Sequence, residues 1–499
     1  MSIRKVPMLI NGQEVLSDSG NWIDVLNPAT QEVVAQVPFA TIVEVDQAVA
    51  NAKLAFKSWR NVSLAKRQQF LLNFLQLVRA NTQKIAELIT LEHGKTLPDA
   101  EGEVGRGIEA IENACMITKL QLGELADNVA GNVNVYTLNK PLGVGVGITA
   151  FNFPIMLPCF MFPIAIACGN TFVLKPSEQD PTSTMLLAQL AYQAGLPDGV
   201  LNVVHGGADV ANHLAEHPDV KALSFIGSTH VGTSLYRRAS HAGIRAQCMM
   251  GAKNHCVVMP DANKDQAINH LLGSCFGAAG QRCMANSVAI LVGEAKDWLP
   301  EIVAKAKAMR VDAGTNRTAD LGPLVSPQAK QRVQSLITSG VDQGASLQLD
   351  GRDPDVPGYA QGNFVAPTIF SDVTTNMDIY TQEIFGPVMC VMESEDIHSA
   401  IETINANPNG NGTSIFTNSG WNARHFENNI DVGQIGINIP IPVPVAYFSF
   451  TGSRASKLGD LGPNGQQAVQ FWTQTHTVSA RWFEPDAASD GVNTTITMK

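Results

Sequence analysis

From residue 141 to residue 174 the chain carries no Asp, Glu, Lys, Arg or His. By length alone such a run would pass for a membrane span, for which about 20 apolar residues suffice. Its punctuation argues otherwise: Gly143, Gly145, Gly147, Pro154, Pro158, Pro163 and Gly169 cut it into strand, loop, helix and strand. A segment of this kind is stable only when other elements cover it, which predicts the buried centre of an α/β domain. At 499 residues the chain exceeds one ordinary core, and its 45% hydrophobic content is enough to fill two or three.

Strands and helices alternate outward from this centre. Residues 144–150, 171–175, 201–204 and 222–226 read as strands, and 158–168, 183–194 and 210–216 as helices. That order predicts a doubly wound parallel sheet with a nucleotide cleft at the carboxyl ends of its strands. After residue 253 the alternation restarts, with strands at 256–259 and 285–292 and helices at 264–279 and 296–308, and runs to residue 438. Upstream, residues 8–37 read as short strands, and 42–59, 64–93 and about 98–122 as helices. Residues 132–138 and those after 471 alternate as strands, and 440–444 (PIPVP) form a rigid loop.

A net charge of −11 without basic clusters argues against nucleic acid or an anionic membrane as partner. The eight cysteines show neither CxxC pairs nor Cys/His zinc spacing, so no metal site is expected and the thiols read as reduced, in the cytoplasm. The first residues lack a signal-peptide apolar core, and without a secretion route the Asn493 sequon carries no weight.

Two stretches carry chemistry. Residues 276–287 (FGAAGQRCMANS) place Cys283 in a small-residue turn beside Arg282, whose guanidinium favours the nucleophilic thiolate. Taken alone, a buried small hydrophobe is the commoner fate of a free cysteine. In residues 225–232 (FIGSTHVG) a strand ends at Gly227 and Ser228 and a helix follows, which aims backbone N–H groups at a pyrophosphate or is simply a capped helix start.

Together with FNFP at 151–154, KPSE at 175–178, MGAKNH at 250–255 and EIFGP at 383–387, these stretches resemble the aldehyde dehydrogenase superfamily in order and spacing over essentially the whole chain. The resemblance implies two doubly wound parallel-sheet domains plus a small β oligomerisation element. The boundaries are 1–125 for N-terminal strands and helices, 126–143 for the oligomerisation hairpin, 144–253 for an NAD-binding domain, 254–438 for a catalytic domain, 439–483 for a return segment and strand, and 484–499 for a frayed tail. It also implies that Cys283 attacks an aldehyde while the Asn152 amide and the Cys283 N–H hold the oxyanion. Lys175 and Glu178 would bind the adenosine ribose of NAD, and Glu383 the nicotinamide ribose. Ala150, Phe151, Ser177, Gly227, Ser228 and Phe385 would be further cofactor contacts, and the assembly a homotetramer.

One position departs. Hydrolytic members of the superfamily carry a glutamate 34 residues before the cysteine, and here Met249 stands there. Methionine takes no proton, and water with a pKa of about 15.7 is a poor nucleophile without a base, whereas a thiol of pKa about 8.5 exchanges readily with a thioester. Coenzyme A is therefore the expected acyl acceptor. Residues 250–255, 280–285, 432–438 (VGQIGIN), 440–444 and 448–454 (FSFTGSR) resemble the CoA-acylating branch that oxidises malonate and methylmalonate semialdehydes, where position 249 is commonly asparagine. This implies acetyl-CoA or propionyl-CoA, carbon dioxide and NADH as products, with Arg106 and Arg282 holding the substrate carboxylate. Arg106 is open to a second reading, an ion pair with Glu103 or Glu109. The competing readings are a hydrolytic dehydrogenase using Glu383 or Glu178 as base, a non-catalytic binding protein, and a thiol hydrolase pairing Cys283 with His255.

Overall fold

The computed structural model describes residues 3–486, 492 and 494. The Asn493 sequon and most of the polar tail lie outside them.

The charge-free run folds as its punctuation predicts. Strands Val144–Ile148 and Thr171–Lys175 flank helix Met156–Ala167, and every residue of these three elements is buried. They form the middle of an eight-stranded sheet, whose spatial order is Lys457–Leu458, Arg245–Met249, Val220–Ile226, Val144–Ile148, Thr171–Lys175, Leu201–Val203, Met8–Ile10 and Gln13–Val15. The five central strands are parallel, and the edge strands run antiparallel. Chain progression reverses at Val144–Ile148, so a cleft opens between its carboxyl end and that of Val220–Ile226. Among the described residues no helix is long and apolar enough to cross a membrane.

The second sheet has seven strands in the order Ser346–Leu349, Thr368–Ser371, Val388–Ser394, Val288–Val292, His255–Val258, Gly412–Phe416 and Gln434–Ile437, all parallel except the first. A third sheet lays strand Thr473–Arg481 antiparallel on Val133–Pro141, with Leu125–Ala130 beyond it.

Three predicted helices are shorter than their patterns. The 64–93 stretch breaks into Leu64–Ala80 and Thr82–His93 at Asn81, whose side chain turns back to the Leu77 carbonyl at 2.8 Å. The third long helix runs Leu97–Cys115 and restarts as Ile117–Leu120. The 264–279 helix stops at Phe276, because Ala278, Ala279 and Gly280 adopt left-handed φ of 51°, 53° and 73°.

Candidate active site

The carboxyl ends of the first sheet face the amino ends of the second across one cavity of about 620 Å³. From the first sheet come Ala150, Phe151 and Asn152, which follow Val144–Ile148, and Gly227 and Ser228, which follow Val220–Ile226. Cys283 arrives from the loop that feeds Val288–Val292, and Glu383 and Phe385 from the loop before Val388–Ser394. A fourth wall is one face of helix Leu97–Cys115: Asp99, Gly102, Glu103 and Arg106 stand at i, i+3, i+4 and i+7. Most of the residues singled out from the sequence, Arg106 and Arg282 included, thus line a single space.

Lys175, Ser177 and Glu178 do not line it. Lys175 ends its strand opposite Ile148 and reaches Glu178 at 3.3 Å, so this pair lies at the same sheet edge beside the cavity. His255 is excluded as a partner for the thiol. It is buried away from the cavity with Nε2 3.1 Å from the Tyr380 hydroxyl, and burial pushes its ring down to about 3.

The cysteine loop is tightly constrained. Three consecutive left-handed residues turn the chain from the helix towards Cys283, and for the two alanines this conformation costs about 1–2 kcal/mol each. A Cβ at Gly280 would sit 2.1 Å from the Gly386 carbonyl, so only glycine permits this approach. Cys283 is half-buried, while the other seven cysteines are fully buried. Burial pushes its thiol up to about 12, and the Glu383 carboxylate adds to that push. The N–H groups of Cys283 and Met284 oppose it, and Arg282 contributes least. Arg282 helps the thiolate only weakly because its guanidinium is engaged by Asp99 at 2.5 Å. Arg106 is likewise paired, with Glu109 at 2.6 Å and with the Pro444 carbonyl.

The Asn152 side-chain amide has no hydrogen-bond partner among the described residues, although its backbone is firmly held. Lys95, fully buried, donates to the Asn152 carbonyl at 2.6 Å and to Glu103 Oε2 at 2.8 Å. Glu103 Oε1 accepts from the Ile155 and Met156 N–H groups and so caps helix Met156–Ala167. Burial pushes the Glu103 carboxyl up and Lys95 pulls it back. Removing the cation strands a buried carboxylate, which typically costs about 3–5 kcal/mol. Lys95→Met is therefore expected to lower the unfolding midpoint sharply in a denaturant titration, and Lys95→Met/Glu103→Leu to recover part of the loss. A midpoint unchanged in the single variant would refute this account of the loop.

On the opposite wall, burial raises the Glu383 carboxyl to about 7 while it accepts the Ala252 N–H at 3.1 Å. Arg332 clamps the Glu383 and Ile384 carbonyls at 2.6 Å each. Phe385, at φ 56°, packs edge-on against Phe151 at 5.7 Å across the cleft. Ser228 starts helix Thr229–His241 without a side-chain cap, which leaves first-turn N–H groups free at the cavity edge. Sequence reasoning missed Lys95, Asp99 and Arg332. Asp99 was within reach, since it shares the helical face of Arg106, but Lys95 and Arg332 act on main-chain carbonyls that no pattern announces. Among the described residues, one group elsewhere has metal-ligand character: Asp46, His213 and His217. His213 Nε2 lies 2.5 Å from Asp46 Oδ1, and His217 Nδ1 accepts the Asp219 N–H at 3.1 Å, which places the His217 proton on Nε2, 3.4 Å from Asp46.

The sequence signature described as "Aldehyde dehydrogenase family" matches residues 15–478. The human methylmalonate-semialdehyde/malonate-semialdehyde dehydrogenase [acylating], mitochondrial, is 53% identical over 486 residues, 97% of this chain and 91% of that protein. The Arabidopsis thaliana methylmalonate-semialdehyde dehydrogenase [acylating], mitochondrial, is 53% identical over 96% of this chain and 79% of its own length. Among solved structures, one described as a putative methylmalonate-semialdehyde dehydrogenase from Sinorhizobium meliloti 1021, complexed with NAD, superposes with a TM-score of 0.96 at 43% identity, covering 97% of this chain and 99% of that one. One from Oceanimonas doudoroffii gives 0.95 at 45% identity with the same coverage. With a signature spanning nearly its full length and relatives above half identity, this chain belongs to the aldehyde dehydrogenase family.

Proposed function

We propose that this chain oxidises malonate or methylmalonate semialdehyde with NAD and transfers the acyl group to coenzyme A, releasing carbon dioxide. The observation that carries the reading is a thiol, a free side-chain amide and two arginines converging on one cavity in which Met249 replaces a general base. The named activity of the human relative supports the same substrates.

The cavity and the sheet edge beside it suit a dinucleotide: Gly227, Ser228 and the uncapped helix start would take a pyrophosphate, Lys175 and Glu178 beside the cavity the adenosine ribose, and Glu383 the nicotinamide ribose. Ala150, Phe151 and Phe385 in the cavity and Ser177 beside it would be the further contacts. When bound, NAD accepts a hydride. Cys283 as thiolate adds to the aldehyde carbon, forming the C–S bond and an oxyanion that the Asn152 amide and the Cys283 N–H hold. Loss of hydride restores the carbonyl and leaves a thioester on Cys283. The C–C bond to the β-carboxylate then breaks; its electrons pass to the thioester as an enolate, which is protonated, and carbon dioxide leaves. The thiol of coenzyme A displaces Cys283, since no base at residue 249 activates water.

NADH formation from the two semialdehydes, with and without coenzyme A, tests the reading. Steady turnover is expected only with coenzyme A, and one equivalent of NADH without it. Steady coenzyme-independent release of free acid would overturn it in favour of hydrolysis. Arg282→Ala and Arg106→Ala are expected to lower kcat/KM for semialdehydes by roughly tenfold or more while sparing neutral aldehydes; equal loss for both would remove the carboxylate role. We also propose a homotetramer built through the strand Thr473–Arg481 and its hairpin, next to which Trp482 and Phe483 are exposed. Eight unpaired thiols suit a reducing compartment, for which we propose the cytoplasm, whereas the human and Arabidopsis relatives are named as mitochondrial.

A further inference from the structure

Asn254 and Asn411 are both buried polar residues that directly precede neighbouring strands of the second sheet, His255–Val258 and Gly412–Phe416. Their side-chain amides converge on one atom. Asn254 Nδ2 donates to the Cys283 carbonyl at 2.8 Å, and Asn411 Nδ2 donates to the same oxygen at 3.0 Å. Each is itself held. Asn254 Oδ1 accepts the Gly412 N–H at 3.0 Å and its Nδ2 also reaches the Ala285 carbonyl at 3.1 Å, while Asn411 Nδ2 touches Met284 Sδ at 2.9 Å.

The peptide joining Cys283 to Met284 is trans and planar, so fixing its carbonyl fixes the direction of the Met284 N–H on the opposite side. That N–H belongs to the residue next to Cys283 and opposes the upward push on its thiol. Two donors on the carbonyl also polarise the peptide and strengthen its N–H as a donor. We infer that Asn254 and Asn411 are positioning residues for the nucleophile, fixing the Cys283–Met284 peptide and with it the main chain from which the sulfur projects, in a site without a base at residue 249. The inference rests on the reading of Cys283 as the nucleophile. It explains why two amides, each buried and costly to place there, are both directed to one main-chain oxygen.

The test is the pH dependence of Cys283 alkylation by iodoacetamide in the full-length enzyme, with Cys283→Ala as the background for the buried cysteines. Asn411→Leu removes the donor at nearly constant volume. Asn254→Asp keeps an acceptor for the Gly412 N–H and removes the donation. Each is expected to move the alkylation midpoint up by about one pH unit, roughly tenfold slower reaction below it, because charge-assisted hydrogen bonds are strong. Asn411→Gln, which restores a donor, is expected to recover part of the shift. An unmoved profile in variants that still bind NAD, even with turnover reduced, would overturn the inference, since a merely structural role predicts that pattern. Retained turnover in Cys283→Ala would instead remove the nucleophile reading and leave the alkylation comparison intact.

Discussion

Cys283→Ala is expected to abolish NADH formation, with a loss on the order of 10⁴-fold or more, as for other enzymes deprived of their covalent nucleophile. The size follows from the site. The other seven cysteines are buried, and the thiols of Cys159 and Cys275 are pushed far above the usual range by that burial. None of those seven lines the cavity, so no second thiol can substitute. NAD binding should survive, because Gly227, Ser228, Lys175, Glu178 and Glu383 are untouched. Stopped-flow measurement of NADH with saturating semialdehyde and coenzyme A checks it, and residual turnover within tenfold of the parent would sink the covalent mechanism.

Met249→Glu is expected to have the second largest effect, opening a route to free acid. Met249 ends strand Arg245–Met249, paired through its backbone with Ile226 on one side and Lys457 on the other, and its side chain lines the cavity. The sheet therefore delivers any side chain at this position to the same place. A carboxylate there would be buried in the cavity that Glu383 also lines, and burial raises its pKa toward neutrality, where a general base works best. Free-acid release without coenzyme A should rise by about 10²-fold or more. Steady-state NADH formation in the absence of coenzyme A, with the acid quantified, reads the change; unchanged partitioning would refute the missing-base argument.

Much of the fold was legible because its signals are local. The glycines and prolines of residues 141–174, the alternation of strand and helix, and the 18-residue helix Ile42–Trp59 with its Thr41 capping box all act within a few residues. The places where the pattern misled are those where distant contacts overrode propensity. Ala278 and Ala279 are good helix formers, yet they turn left-handed because Gly280 must lie against the Gly386 carbonyl, which belongs to a loop a hundred residues on. The spacing within helix Leu97–Cys115 made Arg106 visible as a candidate and left open whether it would pair with Glu103 or Glu109. Lys95 takes Glu103, and Glu109 is left for Arg106.

By itself, then, the sequence determined the order of elements and the chemistry on offer: a thiol in a small-residue turn, an amide before Phe153 and Pro154, and a side chain at residue 249 that takes no proton. These are properties of residues and near neighbours. Tertiary structure alone decided how those groups are used. It set the amino ends of the second sheet against the carboxyl ends of the first. It engaged Arg282 with Asp99, 183 residues away, and aimed Asn254 and Asn411 at the Cys283 carbonyl from 29 and 128 residues away. The physical reason is that hydrogen-bond geometry and burial depend on which backbones meet in space, and such meetings leave no periodic trace along the chain.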